Sequence, residues 1–186
     1  LTEADRVFVP AHESIRKRLP WMFLNLGTCF AAAWVVGLFE RAIEQVVALA
    51  VFMPVVAGMG GNGGTQALTV ITRAIALGEI EFSSGFRAVV KELAVGLALG
   101  IAMGIASAGI AYLWQADPII GVALFAAMIL TLSVAGLMGA AVPLVLKALN
   151  QDPALGAGVI VTTFTDAFAF FSFLGIASVL MDRVVS

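Results

Sequence analysis

The chain has 186 residues and a formal net charge of -2; 61% of its residues are hydrophobic and only 12% are charged. A soluble domain of this length carries about a quarter charged residues to clothe its core, so an ordinary soluble fold is excluded. No basic stripe interleaved with aromatics is present, which argues against a nucleic-acid partner.

Taken from the start, residues 1–20 are polar, begin without Met and contain Pro10. They read as a juxtamembrane linker arriving from something upstream, as in a piece of a longer protein. His12, the only histidine, reads as solvated surface rather than a metal ligand. The remainder, 21–186, reads as an all-α integral membrane domain. Five stretches (21–39, 45–72, 93–116, 118–146 and 153–181) carry between them a single charge, Asp166. Each matches the roughly 20 residues that a helix needs to cross a hydrocarbon core of about 30 Å. The period-2 alternation of a transmembrane barrel is absent, so helices must satisfy the backbone in lipid. Five transmembrane helices per subunit are therefore expected.

The first span is predicted to open at Leu19-Pro20-Trp21, with Pro in the first helical turn and Trp at the interface. Basic residues ahead of a full-length span, with no small-residue cleavage site, make a cleaved signal peptide a poor reading. Cys29, the only cysteine, lies in this span and reads as a small buried hydrophobe. In the second span Pro54 is followed by Gly58, Gly60, Gly61, Gly63 and Gly64, which predicts a kinked or broken helix lining a cavity. Asn62, Gln66, Thr69 and Arg73 recur there at helical spacing, and a pore is the preferred neighbour for that polar face. Gly58-x-Gly60-x-x-Gly63 mimics a dinucleotide fingerprint, but the strand and βαβ unit it requires cannot exist inside a helical span. An amphipathic connector is expected from about residue 73 to 92. Gly96, Gly100 and Gly104 on the third span form a small-residue ridge for close helix packing. The fourth and fifth spans open at Asp117-Pro118 and Asp152-Pro153, each an N-cap followed by Pro. With the N-terminus cytoplasmic, eight of the ten basic residues fall on the inner side, leaving Arg41 and Arg183 outside. The positive-inside rule thus sets the N-terminus inside and the C-terminus outside.

Asp166 falls near the midplane of the fifth span, where an acid is about 2.5 to 3.5 kcal/mol unfavourable unless something compensates it. Thr162, one turn earlier, and Thr163 beside it offer hydroxyls and carbonyls. The alternatives are a neutral Asp joining helices and an ion or proton site, and the second is favoured. The spans hold no His, Lys or second acid, so no catalytic pair or zinc site can be built and the chain is not read as an enzyme.

The run Phe52-Met53-Pro54, Gly58-Met59-Gly60-Gly61-Asn62-Gly63-Gly64-Thr65-Gln66 and Arg73-Ala74-Ile75-Ala76-Leu77-Gly78-Glu79, followed by Lys91-Glu92-Leu93, Gly139 with Pro143, Asp152-Pro153-Ala154 and Thr163-Phe164-Thr165-Asp166, resembles the transmembrane domain of the MgtE family of magnesium channels and transporters. That resemblance implies a homodimer in the lipid bilayer of the inner, plasma membrane, with a Mg²⁺ pore on its twofold axis between the second and fifth helices. It implies that Asp166 anchors hydrated Mg²⁺ and that Thr162 and Ala169 contribute carbonyls; the family commonly has Gly at the last position. Gly58, Gly61, Asn62, Gln66 and Thr163 are then the expected pore lining. Other divalent cations are possible cargo. The family's cytosolic acidic and CBS sensor domains have no counterpart in this sequence, so conduction or binding without that feedback is expected. A channel is the leading reading. An ion-coupled secondary transporter using the same site is the alternative, and an assembly subunit with a structural Asp166 is a third.

Overall fold

The computed structural model of the protein describes residues 10–80, 84–115, 117–151 and 153–185. Every regular element among them is helical: α1 (Ala11–Gly37), α2 (Glu40–Gln45), α3 (Ala48–Ala76), α4 (Gly85–Gln115), α5 (Pro118–Ala148) and α6 (Pro153–Val185). Helices α1, α4, α5 and the Gly156–Asp182 part of α6 are long and apolar enough to cross a membrane, which makes this a membrane protein. The fifth expected span, α3, has the length at 29 residues, about 43 Å at 1.5 Å per residue. Asn62, Thr65, Gln66 and its glycines interrupt it, so that it lacks the membrane-length apolar stretch of the other four.

Helix α5 is the hub. It packs on α4, α3 and α6, whereas α1 reaches the bundle chiefly through α6. The sequence dictates how closely these helices meet. A Cβ on Gly96 would strike the carbonyl of Leu132, one on Gly100 would lie 2.7 Å from the Cα of Ile129, and one on Gly104 would lie 2.9 Å from the Phe125 carbonyl. From the other side, a Cβ on Gly136 would strike the Glu92 carbonyl. The pairing 92 with 136, 96 with 132, 100 with 129 and 104 with 125 is an antiparallel seam, and the packing role expected of this glycine ridge holds.

Two apolar clusters cap the bundle. One gathers Leu49, Phe52, Val56, Leu124, Met128, Phe173 and Leu174, and the other gathers Val142, Ala157 and Val161 with Leu68, Met138 and Leu146 packed on it. Beside the first cluster buried hydroxyls of α5 and α6 meet, with Thr131 Oγ1 3.3 Å from Ser172 Oγ.

Helix ends are set by local chemistry. Asp117 Oδ1 accepts from Ile119 N at 2.8 Å, with Pro118 opening α5, as expected; Asp152 lies outside the described residues. Helices α3 and α5 stop in the same way, on a residue in the left-handed region: Gly78 at φ 71 and Asn150 at φ 56. Glu79 N donates to Ala74 O and Gly78 N to Ile75 O, while Gln151 N donates to Leu146 O and Asn150 N to Lys147 O. Both are Schellman stops. Lys147 Nζ, in the last turn of α5, then donates to Ile80 O at 3.1 Å, tying the α3–α4 connector to α5 at the end of the bundle where the α3–α4 and α5–α6 connectors lie.

Four expectations need correction. Helix α1 begins at Ala11 and carries Pro20 inside it, because Arg16, whose carbonyl loses its bond to Pro20, is exposed and can be satisfied from outside. Cys29 is exposed, since α1 lies at the perimeter. The connector expected from 73 to 92 is shorter, because α3 runs to Ala76 and α4 starts at Gly85. Helix α3 is continuous from Ala48 to Ala76 rather than broken. Its glycines serve contact instead: Cβ atoms on Gly60, Gly63 and Gly64 would lie 2.6 Å from Thr131 Cγ2, 2.7 Å from Leu132 Cδ2 and 2.7 Å from Val161 Cγ1.

The seam predicts an asymmetry among glycines. Gly100→Val must push backbone away from backbone and should destabilise the detergent-solubilised protein by about 1 to 3 kcal/mol, lowering its melting midpoint. Gly109→Ala, with nothing within 4 Å of its would-be Cβ, should melt like the parent.

Candidate metal site on the α3 and α6 faces

Asp166 sits midway along α6 and is half-buried. It forms no hydrogen bond or ion pair among the described residues. Opposite it on α3 stands Gly61, where a Cβ would be 3.9 Å from Asp166 Oδ1. The carboxylate thus faces bare backbone, with its neighbours Gly60 and Gly64 holding α3 against Thr165 and Val161 of α6.

Hydroxyls of α6 near Asp166 and of the exposed face of α3 share one habit. Thr162 Oγ1 donates to Gly158 O at 3.0 Å, Thr163 Oγ1 to Val159 O at 2.6 Å, Thr65 Oγ1 to Gly61 O at 2.8 Å and Thr69 Oγ1 to Thr65 O at 2.7 Å. Each hydroxyl proton is committed to its own helix, so the oxygen presents only lone pairs to a newcomer. Alongside a carboxylate, this is a surface of acceptors. It suits a species whose periphery consists of donors, such as the water shell of a cation. No three His, Cys, Asp or Glu side chains come together as a metal-ligating group among the described residues, so a single chain offers one charge here among neutral oxygens.

The expected site residues divide on inspection. Gly61 and Asp166 are brought together at the α3–α6 junction, while Thr162 and Thr163 precede Asp166 on α6 with their hydroxyls turned to their own helix. Gly58 and Asn62 lie exposed on the outer face of α3 with Thr65 and Thr69. Gln66 lies further round the helix, lining a crevice with Lys91 and Glu92 of α4. Ala169 has no exposed surface, and its carbonyl accepts from Ser172 Oγ at 3.2 Å. The Thr162 carbonyl accepts from Thr165 Oγ1 at 3.1 Å and belongs to a half-buried residue. Sequence reasoning passed over Thr65, whose hydroxyl donates to Gly61 O, although the i to i−4 spacing from Gly61 was there to be read.

Residues 53–176, which contain every one of these positions, match the family model described as MgtE, divalent cation transporter. The chain belongs to the MgtE family. Its curated relatives include the magnesium transporter MgtE of Bacillus subtilis, 32% identical over 94% of this chain and 39% of that protein. The magnesium transporter MgtE of Thermus thermophilus is 32% identical over 90% of this chain and 37% of its own length. That of Enterococcus faecalis is 31% identical, again over 91% and 37%. This MgtE-family chain therefore spans less than two fifths of the relatives it matches. The match covers the glycine-rich face of α3 and the Asp166 turn together, the two surfaces that the fold juxtaposes.

The space opposite Asp166 can be tested by filling it. Gly61→Val has no close contact to break, so the fold should survive with an unchanged melting midpoint. The added methyls should crowd the carboxylate and weaken Mg²⁺ binding, measured by titration calorimetry, by about tenfold, the equivalent of one lost charged hydrogen bond.

Proposed function

We propose that the chain conducts Mg²⁺ across the membrane as a channel, with a hydrated ion held by Asp166 in a pore lined by α3 and α6. The observation that carries this reading is the unpartnered carboxylate facing Gly61 among hydroxyls that can only accept. Mg²⁺ gives up its water reluctantly, and a bound hexahydrate needs acceptors for its outward hydrogens. Asp166 supplies charge, while the Thr162 carbonyl and the hydroxyls of Thr163 and Thr65 take water protons. Ala169, having no surface, is left out of the ligand set.

On this reading α3 is a fifth span. Its exposed face carries Gly58, Asn62, Thr65 and Thr69, which hydrocarbon would leave poorly satisfied. A second copy covers that face. Twofold symmetry then sets two Asp166 side chains about one axis, matching the +2 charge of the ion. Basic residues at the end where the connectors meet, including Arg16, Arg73, Arg87 and Lys147, orient that end to the cytoplasm.

Mg²⁺ flux into proteoliposomes tests the proposal. Asp166→Asn should stay monodisperse and dimeric while flux falls by at least about tenfold, as expected for losing a charged contact worth roughly 1.5 to 3 kcal/mol. Equal flux in both proteins would place the ion path elsewhere. Uptake at zero voltage driven by an imposed pH or Na⁺ gradient would establish coupled transport in place of a channel.

A further inference from the structure

The flank of α3 turned away from Asp166 holds a second polar arrangement that the Asp166 reading does not use. Helices α3, α4 and α5 border an open crevice of about 230 Å³. Its polar lining is Gln66 of α3 and Lys91 and Glu92 of α4; Gly63, Gly96 and Gly136 admit it between the backbones. Glu92 is only 6% exposed. It cannot withdraw, because its carbonyl is pinned against Gly136 in the α4–α5 seam.

A carboxylate removed from water this far needs a partner that compensates for the lost hydration. The partner present is Lys91, whose Nζ is 3.1 Å from Glu92 Oε1. That ammonium belongs to the adjacent residue and is 67% exposed. A pair with one member in solvent contributes little, and the long Lys stem can swing outward. The remaining walls are apolar, with Val70, Val95, Leu99 and Leu132, except for the Gln66 carboxamide, and carboxylate with carboxamide oxygen is a donor pair that suits a hard cation. At roughly 30 Å³ per water, the space accommodates about seven waters, enough for a hexahydrated ion.

We propose that this crevice is a second divalent-cation site, in which Glu92 and the Gln66 amide oxygen bind a hydrated Mg²⁺-sized ion and Lys91 is the cation it displaces. Gln66 lies five residues beyond Gly61 on α3, about 7 Å along the axis toward the end where Lys147 joins the connectors. The site is therefore off the Asp166 face and nearer that end, where an ion can wait without occupying the pore. It stands or falls separately from the Asp166 proposal.

Mn²⁺ binding per chain, counted by the loss of free-ion electron paramagnetic resonance signal on the detergent-solubilised full chain, tests it. In Asp166→Asn a class of sites should persist; Glu92→Gln placed on that background should abolish it, and Gln66→Leu should weaken it severalfold. Lys91→Ala should tighten it by about two- to fivefold, the worth of a solvent-facing ion pair. The sign of that last effect separates a binding site from a structural ion pair, which would lose melting temperature and gain no metal. Should Glu92→Gln fail to fold, Gln66→Leu and Lys91→Ala decide alone. Unchanged binding in Gln66→Leu together with unchanged or weaker binding in Lys91→Ala overturns the proposal. So does unchanged binding on adding a well-folded Glu92→Gln to Asp166→Asn. If Asp166→Asn by itself binds like the parent, the pore reading fails while the crevice is still judged by the other variants.

Discussion

The approach of α5 to its neighbours at backbone distance governs this fold. In lipid no hydrophobic effect drives helices together, so association rests on packing, and small residues give packing its reach. Here the small residues occur on both partners of each contact. Gly96, Gly100 and Gly104 of α4 receive α5, Gly136 of α5 receives α4, and Gly139 of α5 receives α3, where a Cβ would lie 2.6 Å from the Gly64 carbonyl. The backbones fixed in this way set what each flank of α3 faces. Asp166 is held opposite Gly61, and Glu92 is held inside its crevice.

Along α3 and α6 the threonine hydroxyls turn back on the preceding turn of their own helix. Thr65, Thr69, Thr162 and Thr163 all do so. In a helix interior this habit carries a small cost in propensity. At the α3–α6 junction it turns flexible donor-acceptors into fixed acceptors, the polarity that a water-wrapped cation demands. The same packing, continued to Thr131 and Ser172, leaves no buried side-chain nitrogen or oxygen without a partner among the described residues.

Much of this was legible before any coordinates. Charge segregation marked the apolar helices, the 96-100-104 ridge marked a seam, Asp117-Pro118 marked a helix start, and a lone acid within an apolar run marked the candidate site. What escaped has a common cause. Sequence spacing tells which residues share a helix face but not what lies opposite that face. The glycines after Pro54 therefore read as a kink or break, when three of them, Gly60, Gly63 and Gly64, are contacts inside a continuous helix: they meet Thr131, Leu132 and Val161. Gln66 read as part of the Asn62 stripe because they are four residues apart. Yet α3 is flanked by different neighbours on its two sides, and a modest rotation about the axis moves a side chain from one to the other. Cys29 read as buried because an apolar run does not distinguish protein from lipid, and α1 turns most of its surface outward.

The two flanks of α3 are not equivalent mechanically. Against α5 and α6 the helix is locked by Gly60, Gly63 and Gly64. Against α4 it makes few contacts, and the crevice occupies the difference. The contacts of Gly60 and Gly64 bracket Gly61 and hold it opposite Asp166, so whatever occupies the loose flank meets α3 without disturbing the tight one. The two polar arrangements along α3 are thus mechanically separate, and a change of side chain at Gln66 or Glu92 leaves the geometry at Gly61 and Asp166 in place.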